Sequence, residues 1–215
     1  MLIVVHNLST ERNNDMSKSL TERVLAIARK QGIIRPRDLE RHGIAREYLI
    51  RLTSQGVLYR SGRGMYELAD ASPTEHHSLA VVAKEVPTGV ICLLSALRFH
   101  DMTTQQPSEV WLGIPVRARY PNVSTTAHRV VRYSEATFKA GVRTHRIEGV
   151  PVRIFEPAKT VADCFKYRNK IGLDVALEAL KDTLRQRKAT VDEIQHYASI
   201  CRVSKVMRPY IEASL

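Results

Sequence analysis

The chain has 215 residues, of which 33 are Lys or Arg and 22 are Asp or Glu, for a formal net charge of +11. Hydrophobic residues make up 44%, too many for intrinsic disorder and enough for one large or two small cores. The isoelectric point near 9.8 points to a polyanionic partner, because excess positive charge attracts phosphate at a distance and releases counterions on contact.

At roughly 100–200 residues per domain, the length predicts one or two domains. Cys92, Cys164 and Cys201 are widely separated and support neither a zinc ribbon nor a disulfide framework. Cys92 lies in the apolar run Val90-Ile91-Cys92-Leu93-Leu94 and reads as a small buried hydrophobe. This cysteine usage fits a reducing cytoplasm, the expected location. Leu2-Ile3-Val4-Val5 stops at His6 and Asn7, short of the roughly 7–15 apolar residues of a secretory signal. No apolar run approaches the roughly 18 residues of a membrane span, so no membrane partner is expected. Residues 1–16 read as a flexible extension, with Met16 as an alternative start.

Ser19-Leu20-Thr21-Glu22 is a capping-box pattern, and Leu20, Val24, Ile27 and Ala28 then recur at helical spacing up to Gly32. A second short helix is expected from Pro36, carrying Leu39 and stopping before Gly43. A third spans about 45–54, with Ala45, Tyr48, Leu49 and Leu52 facing inward. Strands at 57–60 and 65–68 flank Ser61-Gly62-Arg63-Gly64, a turn rich in residues that tolerate positive φ. Helix, helix, tight glycine turn, helix, hairpin is the order of a winged helix-turn-helix. That assigns residues 17–70 to a DNA-binding domain and 71–215 to a second, α+β domain.

In the second domain, Ser72-Pro73-Thr74-Glu75 predicts another helix start, with helices over about 74–85 and 89–99. Strands are expected at Val110–Pro115, His128–Tyr133, Val142–Ile147 and Val150–Phe155, the last two around a Glu148-Gly149 hairpin turn. Helices then follow at about 157–168, 173–187, 191–200 and 205–213, with Thr190-Val191-Asp192-Glu193 marking one start. The fold class is therefore α+β: an N-terminal winged helix-turn-helix, then a mixed helix and strand domain with a helical C-terminus.

The charge is uneven. Residues 17–66 hold 11 basic side chains against 4 acidic ones. In a helix-turn-helix the last helix enters the major groove and its N-terminal residues meet base edges. Here those are Arg46, Glu47, Ile50, Arg51 and Thr53. Arg donates two hydrogen bonds to guanine and Glu accepts from cytosine. Arg60 and Arg63, in and beside the wing, are placed for phosphate or the minor groove, and Arg35, Arg37 and Arg41 for the backbone. Each arginine taken singly reads equally as a solvated side chain.

A second basic surface is offered by Arg117, Arg119, Arg129, Arg132, Lys139, Arg143 and Arg146, against which only Glu135 stands. Its bland reading is the wet face of half-buried strands; a second nucleic-acid or acidic-protein surface is the alternative. Catalytic signals are weak, and no catalytic residue, metal site or cofactor is expected. His76-His77 lack a third ligand at supporting spacing. Asp101, Glu156 and Lys159 could form a nuclease centre, but Glu156-Pro157-Ala158-Lys159 has one residue too many for two side chains on one strand face. Glu156 reads better as a carboxylate at a helix N-terminus.

The sequence resembles the AbiEi-type antitoxins of type IV toxin–antitoxin systems. In the first domain the likeness rests on Gly32, Arg37-Asp38-Leu39, Gly43-Ile44, Tyr48-Leu49, Leu52, Gly56-Val57-Leu58, Arg60 and Arg63-Gly64-Met65-Tyr66. In the second it rests on Gly89-Val90-Ile91, Ser95-Ala96-Leu97, Val110-Trp111-Leu112, Gly149-Val150-Pro151-Val152 and Glu156-Pro157-Ala158-Lys159-Thr160-Val161-Ala162-Asp163. The resemblance implies a non-enzymatic winged helix that binds inverted repeats in its own promoter. It also implies a C-terminal domain that counteracts a cognate nucleotidyltransferase toxin. Two other readings stay open: a transcription regulator with a sensing or oligomerisation domain, and a nuclease delivered by a winged helix.

Overall fold

A computed structural model describes residues 19–214. The expected extension at 1–16 and the alternative start at Met16 lie outside the described residues. The chain divides into two compact units, one reaching Thr74 and including Glu148–Val150, the other made of Glu75–Ile147 and Pro151–Leu215.

In the first unit, α1 (Leu20–Gln31) starts on a reciprocal capping box: Ser19 Oγ accepts from the Glu22 N–H at 3.2 Å, and Glu22 accepts from the Ser19 N–H at 2.8 Å. Gly32 ends it at φ +64°, a conformation only glycine adopts without strain. α2 (Pro36–Glu40) opens on proline, and Asp38 accepts from the Arg35 N–H at 3.0 Å. α3 (Glu47–Ser54) follows after Gly43 and Ile44. β1 (Leu58–Gly62) and β2 (Met65–Leu68) pair antiparallel, Leu58 opposite Leu68 and Arg60 opposite Tyr66. Ile34 bridges to Tyr66 with two backbone hydrogen bonds of 2.9 Å. Val24, Ala28, Ile34, Leu39, Ile44, Leu49, Leu52 and Leu58 form one buried cluster. Three helices and a hairpin around such a core make a winged helix.

The second unit begins with α4 (His77–Glu85), later than the sequence predicts. The Ser72–Glu75 capping pattern is not used, because its end residues find other partners. The Thr74 N–H and hydroxyl both donate to Glu148, at 2.6 and 2.8 Å, and Glu75 is ion-paired to Arg98 at 2.7 Å. The expected helix over 89–99 divides into β3 (Val90–Ile91) and α5 (Leu93–Phe99). Val90 and Ile91 are buried and β-branched, and they pack better on a pleated sheet than in a helical turn. β4 (Val110–Pro115), β5 (His128–Tyr133), β6 (Val142–Ile147) and β7 (Val150–Phe155) complete a five-stranded sheet in the order β5-β4-β3-β7-β6. β3 runs antiparallel to β4 and parallel to β7, and β4 runs parallel to β5. A one-turn helix, α6 (Glu135–Lys139), sits between β5 and β6.

The remaining helices are α7 (Pro157–Lys166), α8 (Arg168–Ile171), α9 (Leu173–Arg185), α10 (Val191–Cys201) and α11 (Ser204–Glu212). α10 starts on the expected capping box of Thr190 and Glu193. α7 touches α5, α9, α10 and α11, and its residues from Ala158 to Phe165 are all buried. That run is apolar except for Lys159, Thr160 and Asp163. Lys159 and Asp163, both 0% exposed, lie one turn apart, with Nζ 2.6 Å from both carboxylate oxygens. The ammonium also lies 4.2 Å from the Phe155 ring centroid and 5.1 Å from that of Tyr133. Cys201 Sγ donates to Asp163 at 3.3 Å. Burial pushes the Asp163 carboxyl above its usual range, opposed by the Lys159 ammonium. Gly141, at φ +66°, lets the chain pass over this pair, since a Cβ there would lie 2.7 Å from Lys159 Cβ.

A buried pair is costly to break, because the surviving charge is stranded away from water. Asp163→Ala is therefore expected to lower the unfolding free energy by about 3–5 kcal/mol in urea denaturation. Lys159→Met combined with Asp163→Leu removes both charges and is expected to cost far less. A double replacement as damaging as the single one would show that the two side chains are not coupled.

Candidate nucleic-acid interface

α3 has eight residues, too few to be stable alone in water. Burial of Leu49 and Leu52, each 1% exposed, fixes its rotation. At 3.6 residues per turn this turns Glu47, Ile50, Arg51 and Ser54 to the opposite side, and all four are exposed. Ile50 is 63% exposed.

Arg46, at the helix start, and Glu47 form an exposed pair with Nε to Oε1 at 3.5 Å. Contacts of this kind contribute little in water, so both side chains are available to an incoming ligand. Arg51 is held more firmly. Its guanidinium lies 4.2 Å from the Tyr48 ring centroid, and Nη2 donates to Thr21 Oγ1 at 2.9 Å. It therefore sits at the shoulder where α3 faces the first turn of α1. Thr53 is half-buried and donates to the Leu49 carbonyl at 2.7 Å, so its proton is spent within the helix. Ser54, not singled out from sequence, occupies the outward side instead and donates to the Arg51 carbonyl at 2.8 Å.

The wing places Arg60 and Arg63 in solvent, with Arg60 Nε donating to the Gly62 carbonyl at 3.2 Å. Tyr59 on the same strand donates to Glu67 at 3.0 Å, and burial together with that carboxylate pushes its hydroxyl up to about 12. Arg37 is exposed and Arg35 half-buried, flanking the start of α2, and Arg41 lies 3.9 Å from Asp38.

The second basic stretch is differently disposed. Arg132 donates to the carbonyls of Val116 at 2.7 Å and Ala118 at 2.9 Å, pinning the segment between β4 and β5. Arg129 is ion-paired to Glu109 at 2.7 Å and lies over Trp111. Arg143 is paired to Glu156 at 2.9 Å, and Lys139 to Glu135 at 2.6 Å. Arg117, Arg119 and Arg146 are exposed. Arg129, Arg132 and Arg143 thus serve intramolecular contacts.

Glu156 stands at the N-terminus of α7 as expected, accepting from Arg143 and from the Tyr197 hydroxyl. Asp101 pairs with Arg98 at 3.5 Å, and Lys159 is committed to Asp163. Among the described residues no three His, Cys, Asp or Glu side chains are grouped to hold a metal ion. All three cysteines are free thiols in the interior, and burial pushes Cys92 up. The Lys159–Asp163 pair was missed as a unit from sequence, although its four-residue spacing inside an apolar helix was a visible signal.

Residues 22–69 match the family described as transcriptional regulator, AbiEi antitoxin. This AbiEi match spans most of α1 and all of α2, α3, β1 and β2. Over 91% of its length the chain also resembles the crystal structure of the RV2827C protein from Mycobacterium tuberculosis, covering 81% of that chain with a TM-score of 0.55 and 11% identity. At that identity the likeness concerns fold alone. No curated protein matches the chain, and among the described residues no helix is long and apolar enough to cross a membrane.

The Arg51 geometry makes a prediction for the AbiEi-like segment. Arg51→Lys keeps the charge but loses the guanidinium that lies over the Tyr48 ring. It is expected to weaken binding to duplex DNA by about 1 kcal/mol in a gel shift. Unchanged affinity would mean that only the charge matters at this position.

Proposed function

We propose that the protein is a DNA-binding antitoxin that represses its own operon and counteracts a nucleotidyltransferase toxin of a type IV system. The observation that carries this reading is the outward face of α3, set by Leu49 and Leu52 within a segment that matches a regulator family. In this reading α3 enters the major groove. Arg46 donates to guanine and Glu47 accepts from the cytosine amino group, while Arg51 is held at the edge of the helix against Thr21. Arg60 and Arg63 reach phosphate or the minor groove from the wing, and Arg35 and Arg37 meet the backbone. Inverted repeats in the promoter would be read by two copies related by a two-fold axis. The chain needs no catalytic residue, metal or cofactor for this role. The full commitment of Lys159 to Asp163 weighs against the nuclease alternative. The basic stretch around Arg117 and Arg119 is a secondary contact surface, for DNA or for an acidic protein.

Gel shifts of the full-length chain on the DNA upstream of its own gene test the first half. Arg46→Ala is expected to cost about 1–3 kcal/mol of operator affinity and to relax discrimination at one base pair. Arg63→Ala is expected to weaken all sequences alike and reduce the salt slope by about one. Wild-type binding that does not change between low and high salt would contradict the reading. Co-expression tests the second half: Arg46→Ala is expected to lose repression yet still rescue growth from the neighbouring nucleotidyltransferase. Failure of the wild-type chain to rescue would remove the antitoxin assignment.

A further inference from the structure

We propose that Ile50 is the side chain by which α3 recognises thymine, through van der Waals contact with its C5-methyl group; this rests on the DNA reading of α3. Ile50 is the most exposed large hydrophobic side chain among the described residues, at 63%. Neither local nor packing forces account for isoleucine there. A β-branched residue on the open face of a helix is a weaker helix former than leucine, lysine or glutamate, and its side chain is outside the cluster that anchors α3.

Its neighbours on that face are polar. Arg46 and Glu47 lie one turn before it, as a loose exposed pair, and Ser54 lies one turn after it, its hydroxyl proton given to the Arg51 carbonyl. Ile50 is thus an apolar point between hydrogen-bonding groups on a surface otherwise suited to base edges. The major groove offers one apolar feature of matching kind, the methyl group of thymine, beside donors and acceptors that suit Arg and Glu. The branched Cβ leaves Ile50 few rotamers, so little side-chain freedom is lost on contact. The thymine read by Ile50 is expected beside the base pair read by Arg46 and Glu47.

Uracil differs from thymine only by that methyl, which gives a direct test. The full-length chain is titrated against the DNA upstream of its own gene, prepared once with thymidine and once with deoxyuridine throughout. Wild type is expected to bind the uracil duplex roughly fourfold more weakly for each methyl lost from the contact, the equilibrium weight of burying one such group. Ile50→Ala is expected to bind the thymine duplex more weakly, to melt like wild type, and to bind both duplexes equally. Equal wild-type binding to the two duplexes would overturn the assignment of Ile50 while leaving DNA binding intact. Discrimination that persisted undiminished in Ile50→Ala would place the methyl effect in another contact or in duplex shape, and would equally overturn it. Absence of salt-sensitive wild-type binding to either duplex would instead remove the DNA reading on which the proposal rests.

Discussion

The burial of two leucines, Leu49 and Leu52, on one side of a two-turn helix is the constraint on which the candidate interface depends. α3 is too short to hold itself together, so its existence and its rotation both come from the cluster of Val24, Ala28, Ile34, Leu39, Ile44 and Leu58. Once that side is fixed, helical geometry leaves no choice about which residues face outward. The same packing explains why Arg46 and Glu47 form only a loose pair in water, whereas Arg51 is drawn sideways onto Tyr48 and Thr21. Side chains with few internal partners are the ones a duplex can recruit at low cost.

A different constraint organises the second unit. Placing a lysine and an aspartate inside the buried helix α7 makes each charge depend on the other, with Cys201 and the rings of Phe155 and Tyr133 against them. Replacement by apolar residues of similar volume is often neutral in stability, so such a pair is better understood as fixing one arrangement of the packed helices. That is a structural role. It takes Lys159 out of contact with solvent.

Much of this architecture was legible in the sequence where a single physical signal dominated. Alternation and a two-residue turn located β6 and β7, and continuous or alternating β-branched runs located β4 and β5. Two capping boxes located the starts of α1 and α10. Elsewhere local and tertiary signals compete, and the tertiary ones prevail. Ser72–Glu75 carries a valid helix-start pattern, but Glu148 and Arg98 engage its Thr74 and Glu75 first. Val90 and Ile91 fit an apolar helix face, yet β4 and β7 recruit them as a strand. In the candidate interface, periodicity placed Glu47, Ile50 and Arg51 on the exposed face of α3 but also Thr53, where Ser54 faces outward instead, and the capture of Arg51 by Thr21, thirty positions away, had no local signature. The net charge of +11 behaves in the same way. Its two concentrations are visible in sequence, whereas the occupation of Arg129, Arg132 and Arg143 within the fold depends on long-range partners.

The proposed meeting place of duplex DNA and this protein is α3 and the wing. The most direct measurement is a backbone amide NMR titration of the full-length chain with the duplex upstream of its gene. The largest shift changes are expected in 46–54 and 60–64, with smaller ones at the first turn of α1. Changes confined to residues 117–146, with α3 and the wing unmoved, would contradict it.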